Sequence, residues 1–406
     1  MRAATELCPV TLPGPAHSTA AHSYRLLRDK GPVQRVMLPG GLSAWLVTGH
    51  REIQAAVRDP RLVHDPRRIA DVAPHGIPRI RYPLDWLSRT RHVLSSDAAD
   101  HTRQRALMRP YFTPHSVTSA EPVVRRAAHD ALDRMAERGG GDLVVDLALP
   151  VATASVCALL GVPATPLRPA VETSLRLSDA EHPLTPRMTA AAQRMPQLLT
   201  RVIAQLRGGP QTGLGSALLS ARETGDLTAE ELLGNLGFLL FAGIDSTVAA
   251  IPAAALHIMR TPGAADRLHR ESGAVDALIE NALRLAAPFV HGIWRFASTD
   301  VAMGGQPIAA GDPVVLCLAA ANTDPGTWPD PWNVCADRPR PAAHLSFGHG
   351  PHYCPGAGLG RLQTRIALTE LFRRFPRLAL AGDARELRCR GNVSRHFMAV
   401  PVRTGA

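Results

Sequence analysis

The feature that most restricts the fold of this chain is one long, nearly uncharged run of residues with helical signals. The segment Thr228–Glu231 reads T-A-E-E and matches a capping box, in which a Thr begins a helix and an acid three residues later bonds back. From Leu232 to Met259 the only charged residue is one aspartate. Roughly 28 helical residues would span about 40 Å, which is enough to cross a membrane or a large domain. Polar residues within the run favour a helix buried in a protein core: Asn235, Asp245, Ser246, Thr247 and Pro252.

A second feature is a cysteine in a glycine-rich loop, which reads F-G-H-G-P-H-Y-C-P-G at positions 347–356. Glycine lets a backbone turn tightly and approach a flat ligand, and a loop before a helix directs amide N–H groups at the sulfur. Such donors favour the thiolate, which is the form that binds iron. A structural cysteine in a turn is one alternative. Zinc bound by His349, His352 and Cys354 is another, although the chain contains no C-x-x-C pair.

The charge pattern argues against nucleic-acid binding. The net charge is +10, but the 45 basic residues include only one lysine, and the arginines are dispersed without a dense basic run. We interpret the basic surface as suited to an acidic protein partner. The six cysteines are widely spaced, which fits a reducing compartment. The first 24 residues show neither a signal peptide nor a membrane anchor, so we expect a soluble, cytoplasmic monomer.

Local patterns predict a mainly helical protein with small β-sheets, in the α+β class. Alternating apolar and polar residues predict strands within 31–47 and 301–318, and near the C-terminus at 378–381 and 397–402. Residues 71–95 predict a long irregular loop, and 165–207 predict helical pieces interrupted by prolines. No linker or internal repeat divides the sequence, so we expect one domain over residues 1–406.

The cysteine loop matches F-G-x-G-x-H-x-C-x-G at every fixed position, and this pattern resembles the haem-ligand loop of the cytochrome P450 family. The resemblance extends from about residue 31 to residue 402. It implies the single-domain P450 fold, with haem b between the long central helix and the helix that follows the loop. Cys354 would be the iron ligand, and four neighbours would complete the cofactor-binding loop: Phe347, Gly348, His352 and Gly356.

The long helix contains A-G-I-D-S-T at positions 242–247, which resembles the oxygen-activation motif A-G-x-[DE]-[ST]-T of the same family. The resemblance implies that Asp245 and Thr247 deliver protons to dioxygen, with Ala242 and Gly243 beside them. A threonine hydroxyl can bond to a carbonyl of the preceding turn, and glycine removes a side chain where a ligand approaches. The alternative is a threonine satisfied within its own helix and an aspartate paired with an arginine.

Two further segments resemble those that hold haem propionates in the family. His101 and Arg105 form H-x-x-x-R, whose i,i+4 spacing puts both side chains on one helix face. Arg295 stands in R-x-A-x-x-D, and His344 begins H-L-S-F-G. Four basic side chains would neutralise two buried propionates, and arginine offers bidentate bonds to a carboxylate. On its own, H-x-x-x-R also occurs on solvated helix faces.

The chain departs from the family at the helical pattern E-x-x-R. Arg284 takes the arginine position, but Asn281 stands where the glutamate is expected. The candidate third partner is Arg338 of the meander, the segment 334–338 that stands in place of the family pattern F-D-x-x-R. Glu280 is adjacent but about 100° around the helix. We hypothesise that Arg284 bonds to Asn281 Oδ1 and to meander carbonyls, with Asp337 as a counter-charge. The alternative is an exposed i,i+4 pair between Glu280 and Arg284.

The resemblance predicts a monooxygenase that oxidises a small organic molecule in secondary metabolism. Electrons would come from a separate ferredoxin and its NAD(P)H-dependent reductase, which would dock on the face that carries Arg361. Alternatives on the same scaffold are epoxidation, oxidative coupling and peroxide-driven chemistry; an alternative of another class is a haem-binding protein without turnover.

The predicted substrate pocket draws on the 71–95 loop, the 165–207 segment and several later residues: Leu239, Pro288, Phe289, Val290, His291, Ile293 and His396. Polar tips at His291, Trp294 and His396 suggest a functionalised substrate rather than a plain hydrocarbon.

Overall fold

The computed structural model describes residues 8–9, 24–37, 42–73, 90–163, 186–210, 212–290, 293–338, 343–390 and 395–405. Helices predominate in these residues, which confirms the predicted class. The α-helices are α1 (His50–Ala56), α2 (Ala98–Met108), α3 (Pro114–Ser119), α4 (Glu121–Glu137), α5 (Leu149–Leu160), α6 (Pro186–Gly208), α7 (Gly213–Glu223), α8 (Ala229–Arg260), α9 (Ala264–Arg270), α10 (Val275–Leu285), α11 (Leu318–Ala321) and α12 (Ala357–Arg374).

The strands of the described residues are short: β1 (Cys8–Pro9), β2 (Val33–Met37), β3 (Ser43–Val47), β4 (Leu62–Val63), β5 (Gly140–Asp142), β6 (Ile293–Ala297), β7 (Val301–Met303), β8 (Gln306–Ile308), β9 (Pro313–Leu316), β10 (Ala379–Leu380), β11 (Cys389–Arg390), β12 (His396–Phe397) and β13 (Pro401–Arg403). The largest sheet has the order β1-β2-β3-β9-β6-β4. Its β3–β9 pair is parallel, and its β6–β9 pair is antiparallel.

The strands predicted within 31–47 and 301–318, and at 378–381 and 397–402, are confirmed. The predicted turn at 38–41, most of the 71–95 loop and residues 165–185 lie outside the described residues.

Helix α8 begins with the capping box expected from the sequence. The Thr228 hydroxyl accepts the Glu231 N–H at 3.1 Å, and the Glu231 carboxylate accepts the Thr228 N–H at 2.8 Å. Both α8 and the segment Leu143–Leu160 are apolar and long enough to cross a membrane, but 72% and 56% of their most apolar windows are buried inside the fold. The predicted central core helix is therefore confirmed.

The first half of α8 is bonded to α2 and to the segment that precedes it. Asn235 Oδ1 accepts the Val93 N–H at 2.9 Å, and its amide donates to Gln104 at 2.7 Å. Gly234 allows this contact, because a Cβ there would lie 2.2 Å from the Arg91 carbonyl oxygen. The remaining length of α8 packs against α5, α10 and α12 in the main hydrophobic core.

Candidate active site

The cysteine loop turns sharply and ends where α12 begins. Gly348 and Gly350 have φ values of +73° and +72°, in the left-handed region that favours glycine. The Cys354 N–H donates to the Phe347 carbonyl at 2.9 Å. Burial raises the pKa of the Cys354 thiol, and the amide of Gly356 and nearby guanidinium groups oppose this shift without reversing it. The Gly356 amide thus favours the thiolate, as the sequence predicts, and a cation bonded to the sulfur would favour it further.

Three histidines stack beside this loop. The His352 ring lies between those of His64 and His101, with centroid distances of 3.5 Å and 3.8 Å. Arg295 Nη1 lies 3.2 Å from His64 Nδ1. Burial and the neighbouring basic groups lower the pKa of His352 to about 2. The Nε2 atoms of His64 and His101 are buried without a hydrogen-bond partner. The cluster therefore offers buried donors to an anion.

Arg105 approaches the same loop from α2. Its Nη2 donates to the Tyr353 carbonyl, next to the cysteine, at 2.6 Å. His101 and Arg105 thus share a helix face as predicted, and both contact the loop segment. The structure brings His101, Arg105, Arg295 and His352 together from three separate parts of the sequence.

One face of α8 is partly open in the middle of the helix. Phe238, Ala242 and Ser246 are each partly exposed and are spaced by four residues, so they share this face. The Ser246 hydroxyl donates to the Ala242 carbonyl. Thr247 is buried on another face, where its hydroxyl lies 3.0 Å from both the Gly243 carbonyl and Gln363 Oε1 of α12.

Asp245 is completely buried and pairs with a histidine from the C-terminal hairpin. Its Oδ1 lies 3.0 Å from Nε2 of His396, at the start of β12. The two side chains are 0% and 5% exposed. A carboxylate within α8 is therefore tied to the β11–β12 hairpin.

A sequence model of the family "Cytochrome P450" matches residues 183–392. The chain is 33% identical over 393 residues to cytochrome P450 107B1 of Saccharopolyspora erythraea, covering 94% of each protein. This chain is a cytochrome P450. It is also 34% identical over 386 residues to the P450 monooxygenase PikC of Streptomyces venezuelae, covering 94% of this chain and 90% of PikC.

Solved P450 structures match this P450 over nearly its whole length. CYP154C4 from Streptomyces sp. W2061 superposes with a TM-score of 0.88 at 30% identity, covering 99% of this chain and 98% of its own. The tirandamycin C-bound monooxygenase TamI gives 0.86 at 32% identity, with coverages of 95% and 97%. The protein is therefore an oxidoreductase, a haem monooxygenase of the type that serves bacterial secondary metabolism.

The geometry of the P450 helix α8 differs from the prediction for Thr247. Thr247 does not lie on the partly open face; its hydroxyl faces Gln363 of α12, and Ser246, one residue earlier on the helix, occupies the open face. Gly243 also makes room for α5, since a Cβ there would lie 2.6 Å from Val156 Cγ2. The i+4 spacing from Ala242 could have indicated Ser246.

The basic residues of the loop and of E-x-x-R are also rearranged. His344 does not join the histidine cluster predicted for propionates; its Nε2 lies 3.3 Å from Glu280. Arg284 is fully buried and donates to the backbone carbonyls of Asn322, Pro331 and Asn333, which precede the meander residues 334–338 rather than belonging to them. Asn281 Oδ1, however, accepts from Arg338 Nε at 2.8 Å and not from Arg284.

The other partners suggested for Arg284 are wrong as well. Asp337 lies on the surface and pairs with Arg267 at 3.1 Å. Glu280 does not form an exposed pair with Arg284, because it is bonded to Arg361 on α12. Arg361 is therefore not a free surface charge.

The predicted pocket residues divide into several environments. Val290 is buried in the same hydrophobic cluster as Leu46 and Val315 of the large sheet. Leu239 is buried in the main core, and Phe238 takes the partly open face instead. The other residues are placed as follows: Pro288 accepts a backbone bond from Arg395, Phe289 and Ile293 are half-buried, His396 binds Asp245, and His291 lies outside the described residues.

One residue that sequence reasoning missed, His64, belongs to the site. His64 has no motif around it and is identified only by its stacking on His352. Within the described residues, no group of His, Cys, Asp and Glu side chains is arranged to hold a metal ion in the way that the zinc alternative requires. His349 instead contacts Arg58.

Proposed function

We propose that this P450 uses haem b, with Cys354 as the iron ligand, to oxidise a small polyketide-type molecule in secondary metabolism. The observation that carries the proposal is the group of basic side chains beside the cysteine loop, of which His101 and Arg295 are buried. Its unpartnered donors on His64 and His101 fit the two carboxylates of a haem. Hydroxylation is the reaction proposed.

The residues present fit the cofactor at both of its ends. Cys354 is half-buried at the end of a glycine-rich turn, where a flat ring can approach. His101, Arg105, Arg295 and His352 would hold the propionates, and His64 joins them. When bound, the haem iron would supply the activation of dioxygen. The partly open face of Phe238, Ala242 and Ser246 would cover its other side.

Proton delivery is the role proposed for Asp245 and for a neighbouring hydroxyl. Asp245 is a buried carboxylate in contact with His396. It can therefore accept a proton and pass it on at a place that bulk water does not reach. The sequence assigns the hydroxyl to Thr247, but exposure favours Ser246. A hydroxyl bonded to the carbonyl of the preceding turn can loosen the helix and order a water molecule there.

Electrons are proposed to come from a ferredoxin and an NAD(P)H-dependent ferredoxin reductase. The net charge of +10 suits an acidic partner protein. Tyr353 is 38% exposed next to Cys354, which puts the loop close to the surface that such a partner would contact. We also propose a monomeric cytoplasmic protein, to be checked by sedimentation and cell fractionation.

The names of the relatives favour a polyketide substrate. Relatives include the mycinamicin IV hydroxylase/epoxidase of Micromonospora griseorubida and the polyketide biosynthesis P450 PksS of Bacillus subtilis. They also include the 6-deoxyerythronolide B hydroxylase of Saccharopolyspora erythraea. Epoxidation is the second candidate reaction, because one of these relatives is named for both activities.

The test begins with the reduced, CO-bound spectrum of the purified protein. We expect the band of a thiolate-ligated haem in the wild type and its loss in Cys354→Ser.

Ligands that shift the haem spectrum are then sought in polyketide, peptide and terpenoid panels. A hit is incubated with NAD(P)H, a surrogate ferredoxin and its reductase. Oxygen-dependent product supports the enzyme; a haem spectrum without turnover of any hit supports the non-catalytic alternative. Binding of plain hydrocarbons alone would refute a functionalised substrate.

A further inference from the structure

Glu280 lies where three elements meet beside the cysteine loop. Its carboxylate accepts two bonds from Arg361 of α12, Nε to Oε1 at 2.7 Å and Nη2 to Oε2 at 3.0 Å. Oε2 also lies 3.3 Å from Nε2 of His344, in the segment that leads into the loop, and the Glu280 side chain is only 11% exposed. One carboxylate therefore ties α10 to both α12 and the loop.

Arg361 extends this contact to the residues around Cys354. Its guanidinium carbon lies 4.4 Å from the centroid of the Phe347 ring, and its Nη1 donates to the Tyr353 hydroxyl at 3.0 Å. The Phe347 carbonyl in turn accepts the Cys354 N–H. Arg361 thus contacts both Tyr353, which precedes Cys354, and Phe347, whose carbonyl accepts the Cys354 N–H, and its charge acts on the sulfur.

The position that the family pattern reserves for a carboxylate supplies no charge in this chain. Asn281 is an amide that bonds to Arg338 and to the Cys335 carbonyl. The two Nη atoms of Arg284 donate to backbone carbonyls, and its guanidinium carbon lies 5.1 Å from the centroid of the Trp328 ring. The adjacent Glu280 points to another side of α10, towards the loop.

We propose that Glu280 is a positioning residue for Cys354: it fixes Arg361 against Phe347 and balances the positive charge beside the sulfur. The proposal rests on the proposed ligation of the haem iron by Cys354. In this chain the carboxylate beside the cysteine loop is at position 280, and it acts through Arg361 of α12 rather than through the meander.

The two members of the pair have opposite electrostatic effects on the site. Without the Glu280 charge, Arg361 makes the potential at the sulfur more positive, which favours the state with one more electron. Without the Arg361 charge, Glu280 makes that potential more negative and favours the oxidised state. A loop that is merely loosened would shift in the same direction in both variants. The sign of the shift therefore separates charge balance from general damage.

The experiment measures the reduction potential of the haem-loaded protein at pH 8 in Glu280→Gln, Arg361→Gln and the double variant. We expect a positive shift in the first and a negative shift in the second, each about threefold in the reduction equilibrium, roughly 28 mV for one electron. The double variant should return towards the wild type. Glu370→Gln is the matched control, because Glu370 is a buried carboxylate on α12 bonded to Arg125 and Arg373, about 20 Å along the helix from its start. The reduction potential of Glu370→Gln should equal that of the wild type.

Three outcomes would overturn the proposal: shifts of the same sign in both single variants, a double variant whose potential stays at that of either single variant, or an equal shift in Glu370→Gln. A wild type without the thiolate band in its CO-bound spectrum would instead refute ligation by Cys354, which is a separate failure. If Glu280→Gln does not retain haem, Arg361→Gln and the double variant still test the sign, because in them the carboxylate is either alone or absent together with its partner.

Discussion

The carboxylate of Asp245 lies 3.0 Å from Nε2 of His396, and both side chains are almost completely buried. The pair joins the middle of α8 to the β11–β12 hairpin, so the carboxylate is held by a residue 151 positions later in the sequence. Removing one partner of a buried hydrogen-bonded polar group typically costs about 1–3 kcal/mol. The position of the carboxylate therefore depends on the hairpin.

Replacing His396 should uncouple electron use from product formation. In His396→Ala the Asp245 carboxylate loses the partner that fixes it. We expect the product formed per NAD(P)H to fall about tenfold, less than the ~10²-fold loss typical of removing a general acid. The measurement uses a hit from the ligand screen with a surrogate ferredoxin, and follows peroxide release. His396→Gln keeps a donor and should lose less. Unchanged coupling in His396→Ala would show that the pair has no part in proton delivery.

Ser246 and Thr247 should respond differently to loss of their hydroxyl groups. Ser246→Ala removes the hydroxyl on the partly open face and should lower coupling with little effect on stability. Thr247→Val breaks the contact with Gln363 and leaves that amide oxygen unpaired, so it should lower the free energy of unfolding by about 1–3 kcal/mol. Product analysis and chemical denaturation distinguish the two effects. If Thr247→Val lowered coupling and Ser246→Ala did not, the proton-delivery role would belong to Thr247, as the sequence predicts.

Asn281 should matter for stability even though it is uncharged. In Asn281→Ala, Arg338 Nε loses its acceptor and the Cys335 carbonyl loses its donor. We expect the free energy of unfolding to fall by about 2–3 kcal/mol, measured by urea denaturation. Asn281→Glu keeps an acceptor for the arginine and should lose less than the alanine variant. If both variants unfold like the wild type, the meander is held by other contacts.

The stability of the protein should depend on Glu280 in acid. Burial opposes its ionisation, but bonds from His344 and Arg361 outweigh burial and lower its pKa to about 2. A lowered pKa adds stability above the unfolded pKa of about 4.5, and this is lost as the pH falls towards 2; the full amount is about 3 kcal/mol. Glu280→Gln should therefore be less stable than the wild type at pH 6. The difference should narrow by about 1.4 kcal/mol per pH unit below pH 4.5.

Urea denaturation at pH 6, 4.5 and 3.5 measures this difference. A constant difference at all three values would mean that Glu280 titrates normally.

Gly243→Ala should damage packing and not ligand access. The added methyl would meet Val156 Cγ2 at 2.6 Å, so α5 and α8 would have to separate; overpacking of this kind typically costs about 1–3 kcal/mol. The double variant with Val156→Ala should recover most of that loss, as seen by thermal unfolding. No recovery would point to a backbone requirement at position 243 instead.

Several elements of the fold follow directly from local sequence. The capping box at Thr228 and the uncharged run after it define α8 to within one residue, because a cap and an apolar run are both local properties. The strands at 33–37 and 43–47 follow from alternation in the same way. The glycines at 348 and 350 also agree with their positive φ angles.

Local sequence patterns were enough to identify the family, the cysteine loop, the long core helix and the basic residues beside the loop, since each is encoded by neighbouring positions. The partners of these residues follow only from three-dimensional packing. Ser246 and Thr247 are about 100° apart around α8, and the packing of that helix turns Thr247 towards Gln363 and leaves Ser246 partly exposed. Glu280 binds Arg361 and Asp245 binds His396 across 81 and 151 positions, because packing brings distant elements together and a buried charge must be compensated by whatever group lies within reach.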